Sequence, residues 1–346
     1  YRSPDKTTSH QSRPAKCGTF FYFPSSLMGI GAQEHRMRRR HHSVVTALSV
    51  LALGSTLMAA CANTATIKLS NSAKTKYEQR DYQGAVSDYN KVLALDPQDW
   101  RAFDNRGSAK FELGDYQGAI ADVDKSLAIN PQNTIALNNR GTFKVAVKDL
   151  QGALADYSKV IEIDPQDPYA YASRCPVKKA LQDPQGAIAD CSAAIEIDPQ
   201  NAVTYNNRGA AKDALKDYKG AASDYSKAIE INPQYALAYS NRGSAKERLK
   251  DYEGAVADFT KAIEIDPKYV NAYANRGLSK GRLQDYQGSN ADLTKAIEID
   301  PNYAIAYSNR GITRYLLGDF KGACSDWRKG ADLGYDRSAE LLKKQC

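Results

Sequence analysis

The sequence has no histidine and no methionine after Cys61, because all four histidines and all three methionines lie before that residue. Without histidine, this part of the chain cannot form a Ser-His-Asp triad, a Cys-His pair or an ordinary histidine-containing zinc site. It also has no G-x-S-x-G motif, no Walker-type loop and no C-x-x-C pair. We therefore predict that the protein is not an enzyme and has no metal, cofactor or catalytic residue.

Net charge is also nearly absent after Cys61. The whole chain has 47 Lys and Arg against 40 Asp and Glu. Residues 1–61 hold eight of the basic and two of the acidic residues, which leaves 39 basic against 38 acidic in the remaining 285 residues. A nucleic-acid-binding region usually carries a basic stripe or patch. The even balance predicts that nucleic acid is not a partner.

Proline occurs at a fixed interval. Seven prolines lie 34 residues apart, at Pro97, Pro131, Pro165, Pro199, Pro233, Pro267 and Pro301. This interval predicts eight units of equal length, which are 66–99, 100–133, 134–167, 168–201, 202–235, 236–269, 270–303 and 304–337. A linker at 61–65 precedes them, and a tail at 338–346 follows.

Within the unit 236–269 the pattern predicts two helices. Tyr239 and Gly243 lie four residues apart on the first, Asp251 is placed to cap the second, and Phe259 lies on the apolar stripe of the second. Pro267 ends the pair, because the residue before a proline is pushed out of the α region. Glycine inside a helix costs about 1 kcal/mol relative to alanine. Gly243 and its equivalents therefore predict a close approach of the second helix.

This 34-residue pattern, with its aromatic residue, mid-helix glycine, Asp-Tyr turn and alanine-rich second half, resembles the tetratricopeptide repeat. The resemblance covers residues 66–337. It implies an all-α fold, a right-handed α-solenoid of eight helix-turn-helix repeats, with 338–346 as a C-terminal capping helix. It also implies that the first helices line an inner groove that holds a protein or peptide partner.

Two sets of residues are candidates for that groove. The residue two before each glycine is expected to point into it, where an amide can hydrogen-bond a peptide backbone; these residues are Asn105, Asn139, Asn207, Asn241, Asn275 and Asn309. The same amides could instead satisfy neighbouring helix ends. Toward the C-terminus the candidate anchors are apolar: Leu278, Ile305, Ile312 and Tyr315. No lysine precedes the asparagines, which argues against the family's co-chaperone type that clamps a terminal carboxylate.

Arginine and aspartate recur with the same period. Seven units have an arginine directly before the glycine position, and all eight have an aspartate in the second helix, as Arg242 and Asp258 illustrate. The arginines could form an anion-binding ladder. Their regular occurrence with aspartate favours Arg–Asp pairs between packed helices.

Two prolines set the unit 168–201 apart. Pro176 lies inside its first helix, where proline removes a hydrogen bond and clashes with the preceding turn, so we expect a kink or an early break. Pro184 lies at the start of the second helix, where proline is tolerated.

Four cysteines follow Cys61 and sort into two pairs by their position in the repeat. Cys175 occupies the glycine position and Cys191 the aromatic position that should face it. Cys324 lies in the last second helix and Cys346 in the tail. Both pairs are candidate disulfides, and four separate thiols are the alternative.

The residues before the repeats predict export. Residues 1–36 show no helical or strand period and are expected to be an irregular, disordered extension or a fragment edge. Residues 37–60 have the basic and apolar regions of a signal peptide. Ala59, Ala60 and Cys61 resemble a bacterial lipobox, with Met58 where leucine is usual, so Cys61 is the candidate lipidation site. Ordinary signal-peptide cleavage and an uncleaved anchor are the alternatives.

These patterns together predict a non-enzymatic interaction scaffold on the periplasmic side of the cell envelope. Its only membrane contact would be a lipidated Cys61. The alternative is a soluble periplasmic or cytosolic assembly factor that uses the same groove.

Overall fold

The computed structural model describes residues 63–346, which contain helices and turns and no strand. The predictions for residues 1–36, for the signal peptide and for lipidation of Cys61 lie outside the described residues.

Seventeen helices cover the described residues, which confirms the prediction of an all-α fold. The first, α1, covers residues 63–78. The others are α2 (Tyr82–Leu95), α3 (Trp100–Glu112), α4 (Tyr116–Ile129), α5 (Thr134–Ala146), α6 (Leu150–Ile163), α7 (Pro168–Ala180), α8 (Pro184–Ile197), α9 (Ala202–Ala214), α10 (Tyr218–Ile231), α11 (Ala236–Arg248), α12 (Tyr252–Ile265), α13 (Val270–Arg282), α14 (Tyr286–Ile299), α15 (Ala304–Leu316), α16 (Phe320–Asp332) and α17 (Asp336–Gln345). Odd-numbered helices up to α15 are the first helices of repeats, and even-numbered ones are the second helices.

The chain forms two compact units divided after Asp115. In the first, α2 packs against α3 around Tyr89 and Val92. In the second, which holds α4 to α17, each helix packs against the next in sequence, as expected for an α-solenoid. Successive first helices of this unit also touch, as α5 with α7 and α13 with α15, whereas successive second helices between residues 116 and 346 do not pack in this way. The first helices therefore form the inner face of the second unit.

Aspartate caps begin the second helices. The side chains of Asp81, Asp149, Asp183, Asp217, Asp251, Asp285 and Asp319 each accept a hydrogen bond from the backbone N–H of a glycine three residues later. A Cβ on Gly254 would collide with the Asp251 carboxylate, and the same holds at the equivalent glycines. Glycine is thus needed at this position because the cap lies directly over it.

The mid-helix glycines of the second unit make room for a large side chain. A Cβ on Gly243 would lie 2.9 Å from the Phe259 ring, and one on Gly209 would lie 2.7 Å from the Tyr225 ring. The predicted close approach is confirmed, and the group that approaches is the side chain 16 residues later.

The Arg–Asp pairs are present in six repeats of the second unit. They are Arg140–Asp156, Arg174–Asp190, Arg208–Asp224, Arg242–Asp258, Arg276–Asp292 and Arg310–Asp326, each with two hydrogen bonds from the guanidinium to the carboxylate. All six aspartates are buried. The guanidinium groups are engaged inside the fold, so pairing between packed helices, rather than an anion-binding ladder, accounts for them.

Each of these arginines also reaches the preceding repeat. Arg242 Nη1 donates to Ser226 Oγ at 3.0 Å, and Arg276 Nη1 donates to Thr260 Oγ1 at 3.1 Å. The acceptor always lies 16 residues before the arginine, on the previous second helix. One side chain therefore links its own helix to two others.

The helix containing Pro176 does not end early, so the expected early break is wrong. α7 has 13 residues, the same length as α9, and Pro176 lies within it. The turn after the proline keeps its bonds, since Leu181 N–H donates to the Val177 carbonyl at 3.0 Å. The adjacent Cys175 is fixed to α8 through Cys191, so the helix is held on both sides of the missing hydrogen bond. Pro184 is the first residue of α8, as predicted.

Both predicted cysteine pairs lie at disulfide distance. Cys175 and Cys191 are joined with a Cα–Cα distance of 5.5 Å, and both are fully buried. Cys324 and Cys346 are joined with a Cα–Cα distance of 5.9 Å. The first pair replaces the glycine and aromatic residue of neighbouring repeats, and the second ties the last helix to α16.

The C-terminal helix α17 begins at Asp336, two residues before the predicted tail at 338–346. It starts earlier because α16 ends at Asp332. Gly334, with φ of 83°, then forms a tight turn after α16.

Candidate functional site

A pocket of about 360 Å³ opens on the inner face of the second unit, between α13 and α15. Leu278, Ile305 and Ile312 line it together with Asn309. Four of the predicted groove residues are therefore brought to one place. Below we call this the C-terminal pocket.

The floor of the C-terminal pocket is partly polar. The Ser289 and Thr313 hydroxyls lie 3.1 Å apart, and Thr313 also donates to the Asn309 carbonyl at 3.0 Å. Both side chains are buried and line the pocket. Hydroxyls, an amide and apolar side chains can hold a ligand by contact and hydrogen bonding.

Tyr315 lies outside the C-terminal pocket. Its ring packs edge-on against Phe320, with centroids 5.0 Å apart, and is tilted against Trp327 at 5.9 Å. The structure therefore separates this residue from the other three apolar candidates.

The remaining asparagine candidates are distributed along the first helices. Asn139, Asn207, Asn241 and Asn275 are half-buried. The Asn241 amide donates to Asn206 Oδ1 on the preceding first helix at 2.9 Å. At this position the amide joins two repeats. Its partner is another side chain and not a helix end, which was the alternative considered above.

The first unit has a pocket of its own, of about 490 Å³. Asn105 lines it with Asn71, Lys74 and Tyr77. Its wall also holds the charged residues Glu78, Asp99 and Arg101.

A further apolar pocket, of about 300 Å³, was not predicted from the sequence. Val145, Tyr169, Pro176 and Ala180 line it on the inner face of the second unit. The sequence did indicate it, because Pro176 lies three 34-residue periods before Leu278 and so occupies the same repeat position as that pocket residue. Sequence reasoning treated Pro176 only as a helix breaker.

Tyr157 also lines this 300 Å³ pocket. Burial raises the pKa of Tyr157 to about 12, against a smaller opposing effect of its hydrogen bond with Thr142. The two oxygens are 3.1 Å apart. The phenol is therefore neutral over the physiological range and acts as a hydrogen-bonding group.

Within residues 63–346, no helix combines the length and apolar character that crossing a membrane requires. In the same residues, His, Cys, Asp and Glu side chains form no group of three or more that could hold a metal ion.

Comparison with protein families gives one consistent result. Models described as tetratricopeptide repeat match residues 76–140, 202–235, 236–269 and 270–303. No curated protein matches the sequence.

Solved structures share the fold. A chain in the crystal structure of the APC/C hetero-tetramer Cut9–Hcn1 aligns with a TM-score of 0.59 and 15% identity. The alignment covers 76% of this chain and 52% of that chain, so this chain spans about half the length of that one. A tetratricopeptide repeat protein from Parabacteroides merdae aligns with a TM-score of 0.58 and 18% identity, over 72% and 99%. The Pseudomonas aeruginosa pilF protein aligns with a TM-score of 0.55 and 18% identity, over 61% and 97%. At these identities the likeness shows the fold alone.

Proposed function

Because this chain is a tetratricopeptide-repeat protein, we propose that it is a non-enzymatic scaffold that docks a protein or peptide on the inner face of its second unit. The observation that carries the proposal is the C-terminal pocket, where Leu278, Ile305 and Ile312 converge. Ile305 is 40% exposed, although burial of such a side chain would be favourable. Apolar side chains gathered in a concave site are typical anchors for a partner.

The test is capture of a partner by the protein and by a pocket variant. The chain supplies suitable replacements, since Ser244 and Ala210 occupy in other repeats the position of Leu278 and Ile312. The variant is therefore Leu278→Ser with Ile312→Ala. We expect a partner cross-linked from envelope extract to be lost with this variant.

Val203→Ser is the matched control, because Val203 is an exposed apolar residue of a first helix outside the pocket. It should retain the partner. Equal recovery with the pocket variant, or no specific partner with the unaltered protein, would contradict docking at this site.

The proposal extends to location: the scaffold acts on the periplasmic side of the cell envelope, tethered through a lipidated Cys61. Support comes from the signal-peptide pattern at 37–60 and the small residues before Cys61. The two disulfides also suit an oxidising compartment.

Metabolic labelling with palmitate tests the tether. We expect label in the unaltered protein and none in Cys61→Ser. Label in neither, with the protein recovered from the soluble periplasm or the cytosol, would favour the soluble assembly factor.

A further inference from the structure

The C-terminal pocket exists because the seventh repeat lacks a side chain that its neighbour has. Gly281 lines the pocket, and the equivalent residue one period earlier is Glu247. A Cβ on Gly281 would come no closer than 3.4 Å to Ser289 Oγ, an ordinary contact. Packing therefore does not require glycine here. Helix propensity does not favour it either, because glycine is unfavourable in a helix relative to alanine. The space left open is the distinguishing feature of this repeat.

Two arginines stand at the rim of this space. Arg282 and Arg337 both line the pocket and both are exposed. Within residues 63–346 neither is in an ion pair or a side-chain hydrogen bond, in contrast to the arginines that precede the glycines. No aspartate or glutamate lines the pocket. A cavity with apolar walls and two uncompensated positive charges at its edge is complementary to an apolar group beside a negative one.

We propose that the C-terminal pocket binds an extended peptide segment in which a phenylalanine or leucine is flanked by aspartate or glutamate. The apolar side chain fills the space beside Leu278 and Ile312, and the carboxylates lie against Arg282 and Arg337. Arginine suits this role because its planar group holds a carboxylate with two hydrogen bonds. The inference rests on the proposed function and adds the chemistry of the partner to it.

The test uses three acetylated and amidated peptides of equal length with the full chain. One has phenylalanine between acidic residues, the second has phenylalanine between lysines, and the third has serine between acidic residues. By fluorescence anisotropy at low salt, we expect the first to bind at least about tenfold more tightly than the other two. Its advantage over the lysine peptide should shrink as salt screens the charges.

Four variants locate the binding. Arg282→Gln with Arg337→Gln should weaken the acidic peptide about tenfold. Gly281→Glu, which copies Glu247, should abolish its binding. Gly281→Ala should weaken binding while raising the melting temperature, which separates loss of the pocket from loss of folding. Arg248→Gln is the matched control, since Arg248 is the equivalent of Arg282 one period earlier and should change nothing.

Equal binding of the acidic and lysine peptides would overturn the charge assignment, and no binding of the acidic peptide at about 1 mM would overturn the proposal as a whole. The proposed function is judged separately. Suppose that a captured partner is lost with Leu278→Ser and Ile312→Ala, but that the acidic peptide does not displace it and the arginine changes do not weaken its binding. Docking in the pocket would then stand, and only the acidic-peptide inference would be contradicted.

Discussion

Arg242 and Asp258 join the two helices of the sixth repeat through two hydrogen bonds, from Nε at 2.9 Å and from Nη2 at 2.6 Å. The Asp258 side chain is 5% exposed and also forms an ion pair with the Lys246 ammonium at 2.9 Å. With Ser226 as the third acceptor of Arg242, the group connects three helices. A buried carboxylate with two cationic partners loses much of its stabilisation when one is removed.

Replacing Arg242 should therefore lower stability. We expect Arg242→Ala to reduce the free energy of unfolding by about 2 kcal/mol, with Lys246 limiting the loss. Urea denaturation measures this, and a cycle with Asp258→Asn isolates the pair. Partner capture should persist at temperatures where the variant is folded. Weakened capture with unchanged stability would show that the arginine binds the partner.

The Cys175–Cys191 pair should be interchangeable with the pair in the next repeat. Cys175→Gly together with Cys191→Tyr reproduces Gly209 and Tyr225 and should fold. Cys191→Tyr alone should be destabilised by up to about 3 kcal/mol, because the ring meets the side chain at 175.

Melting curves with and without dithiothreitol measure the exchange, in a Cys346→Ala background that removes the other disulfide. The parent should lose stability on reduction and the double replacement should not. A double replacement that is less stable than the lone Cys191→Tyr would contradict the exchange.

Six turns within repeats place a residue other than glycine at positive φ. Lys250 is one, at φ of 64°, whereas Gly318 holds the same position at 84°. Glycine adopts this conformation without the steric cost of a Cβ, so Lys250→Gly should stabilise by up to about 1 kcal/mol. Gly318→Lys should destabilise by a similar amount. Denaturation midpoints that move in the same direction for both would contradict this explanation.

Alkaline pH should weaken the fold through its buried tyrosines. The pKa of Tyr157 is raised to about 12, and that of Tyr89 is likewise raised to about 12, both mainly by burial. The pKa of a tyrosine in the unfolded chain is about 10. Because the folded pKa is higher, the stabilisation is complete below about pH 10 and is lost as pH rises toward about 12.

We expect Tyr157 alone to account for up to about 2 kcal/mol of this loss. Tyr157→Phe should make the decline shallower, as measured by urea unfolding across the alkaline range. An equally steep decline in the variant would contradict the assignment to Tyr157.

The sequence was sufficient for features that depend on the repeat alone. Proline spacing located the turns, and matching repeat positions paired Cys175 with Cys191 and Arg242 with Asp258. The contact from Arg242 to Ser226 was not predicted, because its acceptor is a serine, threonine or aspartate in different repeats and no single residue type marks it. The continuous helix through Pro176 depends on support from neighbouring groups, which local propensity does not include.

The candidate site was predicted only in part for a similar reason. Leu278, Ile305 and Ile312 were identified from their apolar character at groove positions. The pocket itself depends on the absence of a side chain at Gly281 and on Tyr335 and Arg337, which belong to the turn after α16 and to α17. Such a cavity is a property of how successive repeats stack, so it is visible only in three dimensions.

The disulfide between Cys175 and Cys191 also has a mechanical consequence. If the protein is stretched from its ends, the chain between these cysteines, with a sequence separation of 16, cannot extend. At about 3.4 Å per extended residue, the fourth repeat should release roughly 55 Å less length than its neighbours. In a Cys346→Ala variant, which lacks the other disulfide, single-molecule pulling under oxidising conditions would thus show one short step among longer ones, and reductant would restore it to full length. The shorter unfolding step would therefore identify the fourth repeat among repeats of otherwise equal length.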